Sequence, residues 1–471
     1  MVDSSRFINS AHHGAPSAPA GGARGVGMRS LGIVTKNSSP DAKTPPEEVL
    51  FDSGTGEIAT PKDASKSRSE RWALKSVVNR LLPNSRTSKC MVLRAPVQGV
   101  GLLPIEIRRS REHNKSFYHG LMTCGDVWNC PVCNPKISER RRVELVDALD
   151  EARKQDLSIF LVTLTIPHGI GDDINDLLSK LQNALKVLSS GKYAIKSQFK
   201  KLFEMDLAGY VRTLEVTYGL NGFHPHYHIL VFVEPRYFQG VRCHTDKSII
   251  DYVYTRAWRR ACRVSGLPEP SDKHGVTVED GSMAAKYVTK WGLEDEMTKT
   301  ISKQGKRHGL TPWGLLRAIL DDDDSVVEPS HAESLFRVYS GAFKGKRQLF
   351  WSVGLRKRLL PQNVELSDKE LVDQEQDVTS DLMSGITDSQ WKVIRRYRKE
   401  PDLLNASDMG DRNQGLASLK ILIDFVMSLP ERTGVNPNYA RTGERRAGAR
   451  VAQAHSDRAT HDGSGVSGVD P

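Results

Sequence analysis

Long apolar runs are missing from this 471-residue chain. No stretch reaches the ~18–20 apolar residues needed to cross a bilayer. The N-terminus has no apolar core of signal-peptide length, because Leu31-Gly32-Ile33-Val34 is too short. A soluble, intracellular protein is expected. Cysteine is scarce as well. Six in a chain of this size do not make a disulfide scaffold, and a reducing compartment leaves thiols free for metal. Acid is in deficit: 57 Asp and Glu face 67 Lys and Arg, a net charge of +10. That balance favours a polyanionic partner. No internal repeat is visible, and the length allows two or three domains.

Composition divides the chain. Residues 1–68 are rich in Gly, Ala, Ser, Pro and charge without sustained periodicity, and are expected to be a disordered tail. Residues 431–471 read the same way, with Arg432, Arg441, Arg445, Arg446 and Arg450 making that tail basic. Between them lie a 69–145 segment holding most of the cysteines, a 146–357 region of alternating strands and helices, and a helical 358–430 segment. Ser158 to Ile166 is a β-branched run stopped by Pro167. Asp172 or Asp173 then caps a helix with Ile174, Leu177, Leu178, Leu181, Leu185 and Leu188 on one face. A second helix is expected over 247–264, short strands at Val276–Val278 and Gln348–Ser352, and an exposed acidic loop at Asp321–Asp324. Hairpins with helices packed over them make an α+β fold.

The most informative stretch runs from Arg212 to Phe232, two apolar-rich runs joined by a turn bearing Gly219, Asn221 and Gly222. Alternate side chains of a strand share a face, so His224, His226 and His228 fall together. A turn of two or four residues centred on Leu220–Asn221 sets Glu215 directly opposite His226; a turn of odd length breaks that register. Two imidazoles and a carboxylate on one sheet face suit a divalent metal with open positions for substrate. Glu215 is the expected third ligand and His224 the alternative.

Two further groups carry chemistry. Ser282 to Trp291 reads as a helix on which Tyr287 and Lys290 share a face. A tyrosine oxygen can attack phosphorus, and a nearby ammonium favours the phenolate. Tyr193 and Lys196 repeat that spacing, and Tyr339 has Lys344 and Lys346 just beyond it. Cys124, Cys130 and Cys133 have the spacing of a thiolate zinc site. Cys90 is the first choice for a fourth ligand, with His113 and His119 as alternatives.

In order, Thr163-Leu164-Thr165, His224-Pro225-His226-Tyr227-His228-Ile229-Leu230 and Tyr287-Val288-Thr289-Lys290 resemble three motifs of known proteins. Those are the plasmid rolling-circle replication initiators of the HUH endonuclease superfamily, one-tyrosine branch. Thr311 to Leu316 and Gly345 to Ser352 are similar to that family too, so the resemblance covers roughly residues 85–357. It implies an HUH-type antiparallel sheet with flanking helices, preceded by a small zinc-binding segment. It implies a metal-dependent, site-specific nick in one strand of origin DNA in the bacterial cytoplasm. Tyr287 is then the nucleophile that becomes joined to the 5′ phosphate and leaves a 3′-OH primer. His226 and His228 hold Mg²⁺ or Mn²⁺, and Lys290 steadies the phosphate. The partners implied are duplex and single-stranded origin DNA, a host helicase and a polymerase. Related initiators carry a cysteine cluster upstream, which agrees with Zn²⁺. Arg108, Arg109, Arg111, Arg140, Arg141 and Arg142 are then read as phosphate contacts that position the DNA. One departure stands out. Some one-tyrosine members have a Glu four residues before the tyrosine; here Met283 is there, with Glu279, Asp280 or Glu294 as substitutes. A relaxase or transposase with the same chemistry, or a non-catalytic zinc-containing DNA-binding regulator, is the alternative reading.

Overall fold

The computed structural model describes residues 33–34, 49–51, 58–59, 61–239, 241–243, 245–281, 309–325, 327–373 and 379–430. The chain divides into two compact units. One comprises Met1–Leu103 with Leu121–Val378, the other Pro104–Gly120 with Thr379–Pro471. Both are α+β with antiparallel sheets.

The first unit is organised on a five-stranded sheet. Its order is Val276–Asp280, Ser158–Leu164, Gly222–Val233, Leu207–Gly219 and Leu349–Trp351. Every neighbouring pair is antiparallel. The two long central strands form the expected hairpin. Gly219 pairs with Gly222 across a two-residue turn, and the same register sets His226 opposite Glu215. Gly222 has φ +84°, a conformation that L side chains rarely adopt.

One face of this sheet is used twice. Towards one end Ile159, Leu161, Val211, Leu230 and Phe232 form a core with Leu145, Ala148, Leu149 and Ala152 of the Cys133–Lys154 helix. Leu355, Leu359 and Leu360 close the same core. Towards the hairpin turn the residues in line with them are Thr163, Thr213, Glu215, His226 and His228. The opposite face is apolar and buried, with Val162, Leu164, Leu214, Val216, Ile229 and Val231. Sheet strands buried on both faces read as near-continuous apolar runs, which is why Ser158–Leu164 was visible in the sequence.

The helices expected at 172–188 and 247–264 are Ile174–Ser189 and Lys247–Val264. Asp173 caps the first, accepting the Asp176 N–H at 2.9 Å, and Asp246 caps the second. They pack on one another and against the sheet. Thr311 caps a helix at Pro312–Asp321, and the acidic residues after it are largely exposed. Another helix begins at Pro61, inside the stretch expected to be without structure. Its burial of Leu74, Val77, Val78 and Leu81 is the physical reason it forms.

The second unit has a three-stranded sheet ordered Ser380–Ile386, Ile105–Ser110, Ser116–His119. Three helices follow, Asp388–Arg396, Glu400–Ser407 and Arg412–Ser428. Thr387 with Gln390 and Asp411 with Gln414 form capping boxes at two of them. The 358–430 segment is therefore not wholly helical. Ser380–Ile386 pairs with a strand far back in sequence, a contact that local periodicity does not carry.

Candidate metal centres

Glu215, His226 and His228 converge on the shared sheet face, towards the hairpin turn. Both histidine Nε2 atoms lie 3.3 Å from Glu215 Oε2. Each ring is aimed by its other nitrogen. His226 Nδ1 donates to the His224 carbonyl at 3.1 Å, and His228 Nδ1 is 2.9 Å from Thr163 Oγ1. Such outer bonds fix tautomer and orientation in metal-binding histidines. The three ligand atoms lie within 4.8 Å of one another. Their side chains stay partly exposed, at 25%, 12% and 17%. Burial alone would raise the Glu215 carboxyl, but its bonds to His226 and His228 win and hold it at about 2. Burial works against a charged His226, yet Glu215 raises it above its ordinary 6.5. A carboxylate and two partly exposed imidazoles gathered on one sheet face fit a divalent ion that keeps positions for substrate.

His224, the alternative third ligand, is not in this group. Its ring lies parallel to that of His168, 4.5 Å between centroids, and 4.9 Å from that of His226. Burial, with His226 and His168 beside it, pushes its imidazole down to about 4. Thr163 and His168 were missed as part of this site. Thr163 appeared in the sequence only as part of the first motif, its bond to His228 needing the strand pairing, and His168 needed the path of a loop.

The second cluster is closed. Cys90, Cys124, Cys130 and Cys133 are all buried, with their sulfurs within 4.8 Å of one another. Cys133 Sγ is 3.6 Å from both Cys90 and Cys124, and Cys130 is 3.7 Å from Cys90. Zinc–sulfur bonds of about 2.3 Å in a tetrahedron put sulfurs about 3.8 Å apart, so the donor set and spacing fit that ion. Hydrogen bonds from Cys124, Cys130 and Cys90 pull the Cys133 thiol well below its ordinary value, whereas burial pushes Cys130 well above it. Four thiolates together need a cation. Cys133 opens the helix whose later turns cover the sheet core. Cys90 arrives because Met91 N–H bonds Met122 O at 2.7 Å and Met122 N–H bonds Leu93 O at 2.8 Å. Asp126 rigidifies the loop, accepting from Thr87, Trp128 and Asn129. Gly125 has φ +64°, and a Cβ there would stand 2.7 Å from Lys369 Cα. His113 and His119, the other candidates, lie in the second unit, where His119 is 3.5 Å from Glu106.

Tyr287 and Lys290 lie outside the described residues, as do Met283 and Glu294. Two rival tyrosines are placed. Tyr339 is buried and its hydroxyl donates to the Trp128 carbonyl at 2.9 Å; burial pushes its phenol well above its ordinary value. Tyr193 is packed under Arg260, 3.7 Å from its ring centroid.

A family model described as "Replication protein" matches residues 118–401, more than half of the chain. The chain belongs to this replication-protein family. A "Protein rep" of Streptomyces lividans is 27% identical over 379 residues, covering 66% of this chain and 81% of the relative. A "Protein rep" of Lentilactobacillus hilgardii is 30% identical over 142 residues, or 30% of this chain and 41% of the relative. A third, from Streptococcus pneumoniae, is 26% identical over 251 residues, 51% and 64% of the two chains. No solved structure matches. The family agrees with the resemblance to plasmid replication initiators carried by the histidine and tyrosine motifs.

The arginines read as DNA contacts of this replication protein are not equivalent. Arg109 is a correction. It is buried, and its guanidinium donates to the carbonyls of Ser407, Gly410 and Asp411, so the fold consumes it. Arg108 bonds Glu106 and Ser380, and Arg111 pairs with Asp381. On the Cys133–Lys154 helix Arg141 pairs with Glu144 and Asp368, and Arg142 with Glu139. Arg140 is exposed.

Proposed function

We propose that this replication protein nicks one strand of a plasmid origin, remains joined to the 5′ phosphate, leaves a 3′-OH primer and later rejoins the strand. The observation that carries the reading is the Glu215/His226/His228 cluster, gathered on one face of the sheet with each side chain partly exposed. Residues 146–357 are read as the HUH endonuclease domain, with a Zn²⁺ on Cys90, Cys124, Cys130 and Cys133 as its structural support.

Glu215, His226 and His228 hold Mg²⁺ or Mn²⁺. When bound, the ion polarises the scissile phosphate and offsets the charge that develops on it. Thr163 and the His224 carbonyl keep both imidazoles turned towards that point. The phenolic oxygen of Tyr287, having given up its proton, attacks phosphorus. The bond to the 3′ oxygen breaks, and that oxygen takes a proton to become the primer hydroxyl. Lys290 steadies the phosphate charge. Origin DNA is the partner, with a host helicase and polymerase acting on the primer.

The test maps the covalent link. Protein incubated with single-stranded origin oligonucleotide and Mn²⁺, then digested, should yield one DNA-linked peptide, containing Tyr287. A link at Tyr193, or at any other residue, overturns the assignment. Tyr287→Phe removes only the oxygen, so binding should persist while nicking and the adduct vanish.

A further inference from the structure

We propose that the paired rings of His168 and His224 form a stacking platform for a nucleobase of the single strand, beside the phosphate held at Glu215, His226 and His228. This rests on the reading of the metal centre as a DNA-cleaving site.

The geometry is that of a short column. The His168 and His224 planes are 7° from parallel at 4.5 Å, and the His224 and His226 planes 28° apart at 4.9 Å. The column therefore starts at a metal-ligating ring and runs outward from it. Both outer rings are partly exposed, and neither belongs to the core packed under the Cys133–Lys154 helix. Neither belongs to the metal-binding group.

The loop that carries His168 is fixed by its own bonds. Its ring Nδ1 lies 3.2 Å from the Ile166 carbonyl. The Gly169 N–H donates to the Asp172 carboxylate at 2.7 Å, and the Asp172 N–H to the Gly169 carbonyl at 3.1 Å. Trp258 Nε1 donates to the Thr165 carbonyl at 2.8 Å. The loop also meets the hairpin turn backbone to backbone. A Cβ on Gly222 would stand 3.0 Å from Ile170 Cα and 3.1 Å from the Gly169 oxygen. Two flat rings so held, next to a phosphate site, offer what a base offers in return: a π face. Stacking of this kind accepts any base, so it sets which nucleotide stands at the metal rather than reading its identity.

The test measures binding of the full chain, without metal, to a short mixed-sequence oligonucleotide carrying 2-aminopurine. The comparison is an abasic oligonucleotide of the same length. His168→Ala should weaken binding to the base-bearing strand roughly 5- to 150-fold, the worth of one base on an aromatic ring, and should reduce the quenching of 2-aminopurine. On the abasic strand the same substitution should change nothing, which separates a lost stack from a damaged fold. His168→Phe should restore binding to within about threefold. An equal loss on both strands that Phe does not rescue, or rescue by Lys and not by Phe, means that His168 holds the fold or a phosphate rather than offering a π face, and overturns the platform. No change on either strand overturns it as well. Because no cleavage is read, a protein that shows the stack and never nicks leaves this inference standing and removes the nickase reading instead.

Discussion

The two ligand clusters are built from the same kind of material and differ in closure. The cysteines come from separate loops and a helix start, and are sealed from solvent on every side. Glu215, His226 and His228 come from two adjacent strands and converge from one side only. Four donors around a point satisfy a tetrahedral ion completely, so the first cluster has nothing left to offer a substrate. Three donors on one side leave positions open, which is the condition for chemistry. The helix starting at Cys133 connects them physically. Its first turn belongs to the closed cluster, and its later turns cover the sheet core below the open one.

The largest expected effect breaks the closed cluster. Cys130→Ser should lose the metal and with it several kcal/mol of folding free energy, because a structural ion binds only the folded form. Elemental analysis of reduced protein should find about one zinc in the wild type and none in the variant; zinc in neither removes the site. Next comes the open cluster. His226→Ala with His228→Ala should lower nicking of supercoiled origin DNA at least about a thousandfold. Duplex binding should stay nearly unchanged, and melting in chelator should hardly move. A large drop in melting temperature would mean that these histidines are structural, and the contrast between the clusters would fail.

Glu215→Gln keeps the shape and removes the charge. It should raise the Mn²⁺ concentration needed for half-maximal cleavage by roughly ten- to a hundredfold, by analogy with the loss of a supporting ligand interaction. An unchanged titration takes Glu215 out of the ligand set. The smallest effect concerns pH. Glu215 holds a proton on His226, and the ion must displace it. The Mn²⁺ requirement should fall about tenfold per pH unit as pH rises towards the elevated His226 value, and then level off. The sign for the metal-free protein is opposite. The raised His226 contributes stability that is full below pH 6.5 and is lost as pH climbs through its folded value. The carboxylate partner, held at about 2, contributes in full above its ordinary 4.5 and loses that contribution as pH falls from there towards 2. The cysteine site should weaken as pH falls over this range, because each thiol must give up its proton to become a ligand.

What could be read locally was what short-range geometry carries. Strand periodicity put His226 and His228 on one face, and a two-residue turn at Leu220–Asn221 brought Glu215 opposite them. The helix cap at Asp173 follows from a side chain that bonds its own next turn. The order of the histidine and tyrosine motifs, with the cysteine spacing, was enough to point to the family. Other features needed the chain to fold back on itself. Cys90 completes its cluster only through the Met91–Met122 pairing. His168 reaches His224 only because a loop crosses the hairpin at Gly222. Arg109 looked like a surface cation and is buried under three carbonyls from the far end of the chain. The Ser380–Ile386 strand pairs with Ile105–Ser110, a partner no local pattern names. Period and spacing decide which residues share a face. How far that face is then covered depends on distant segments packing against it, and among the described residues that separates four buried cysteines from a partly exposed Glu215, His226 and His228.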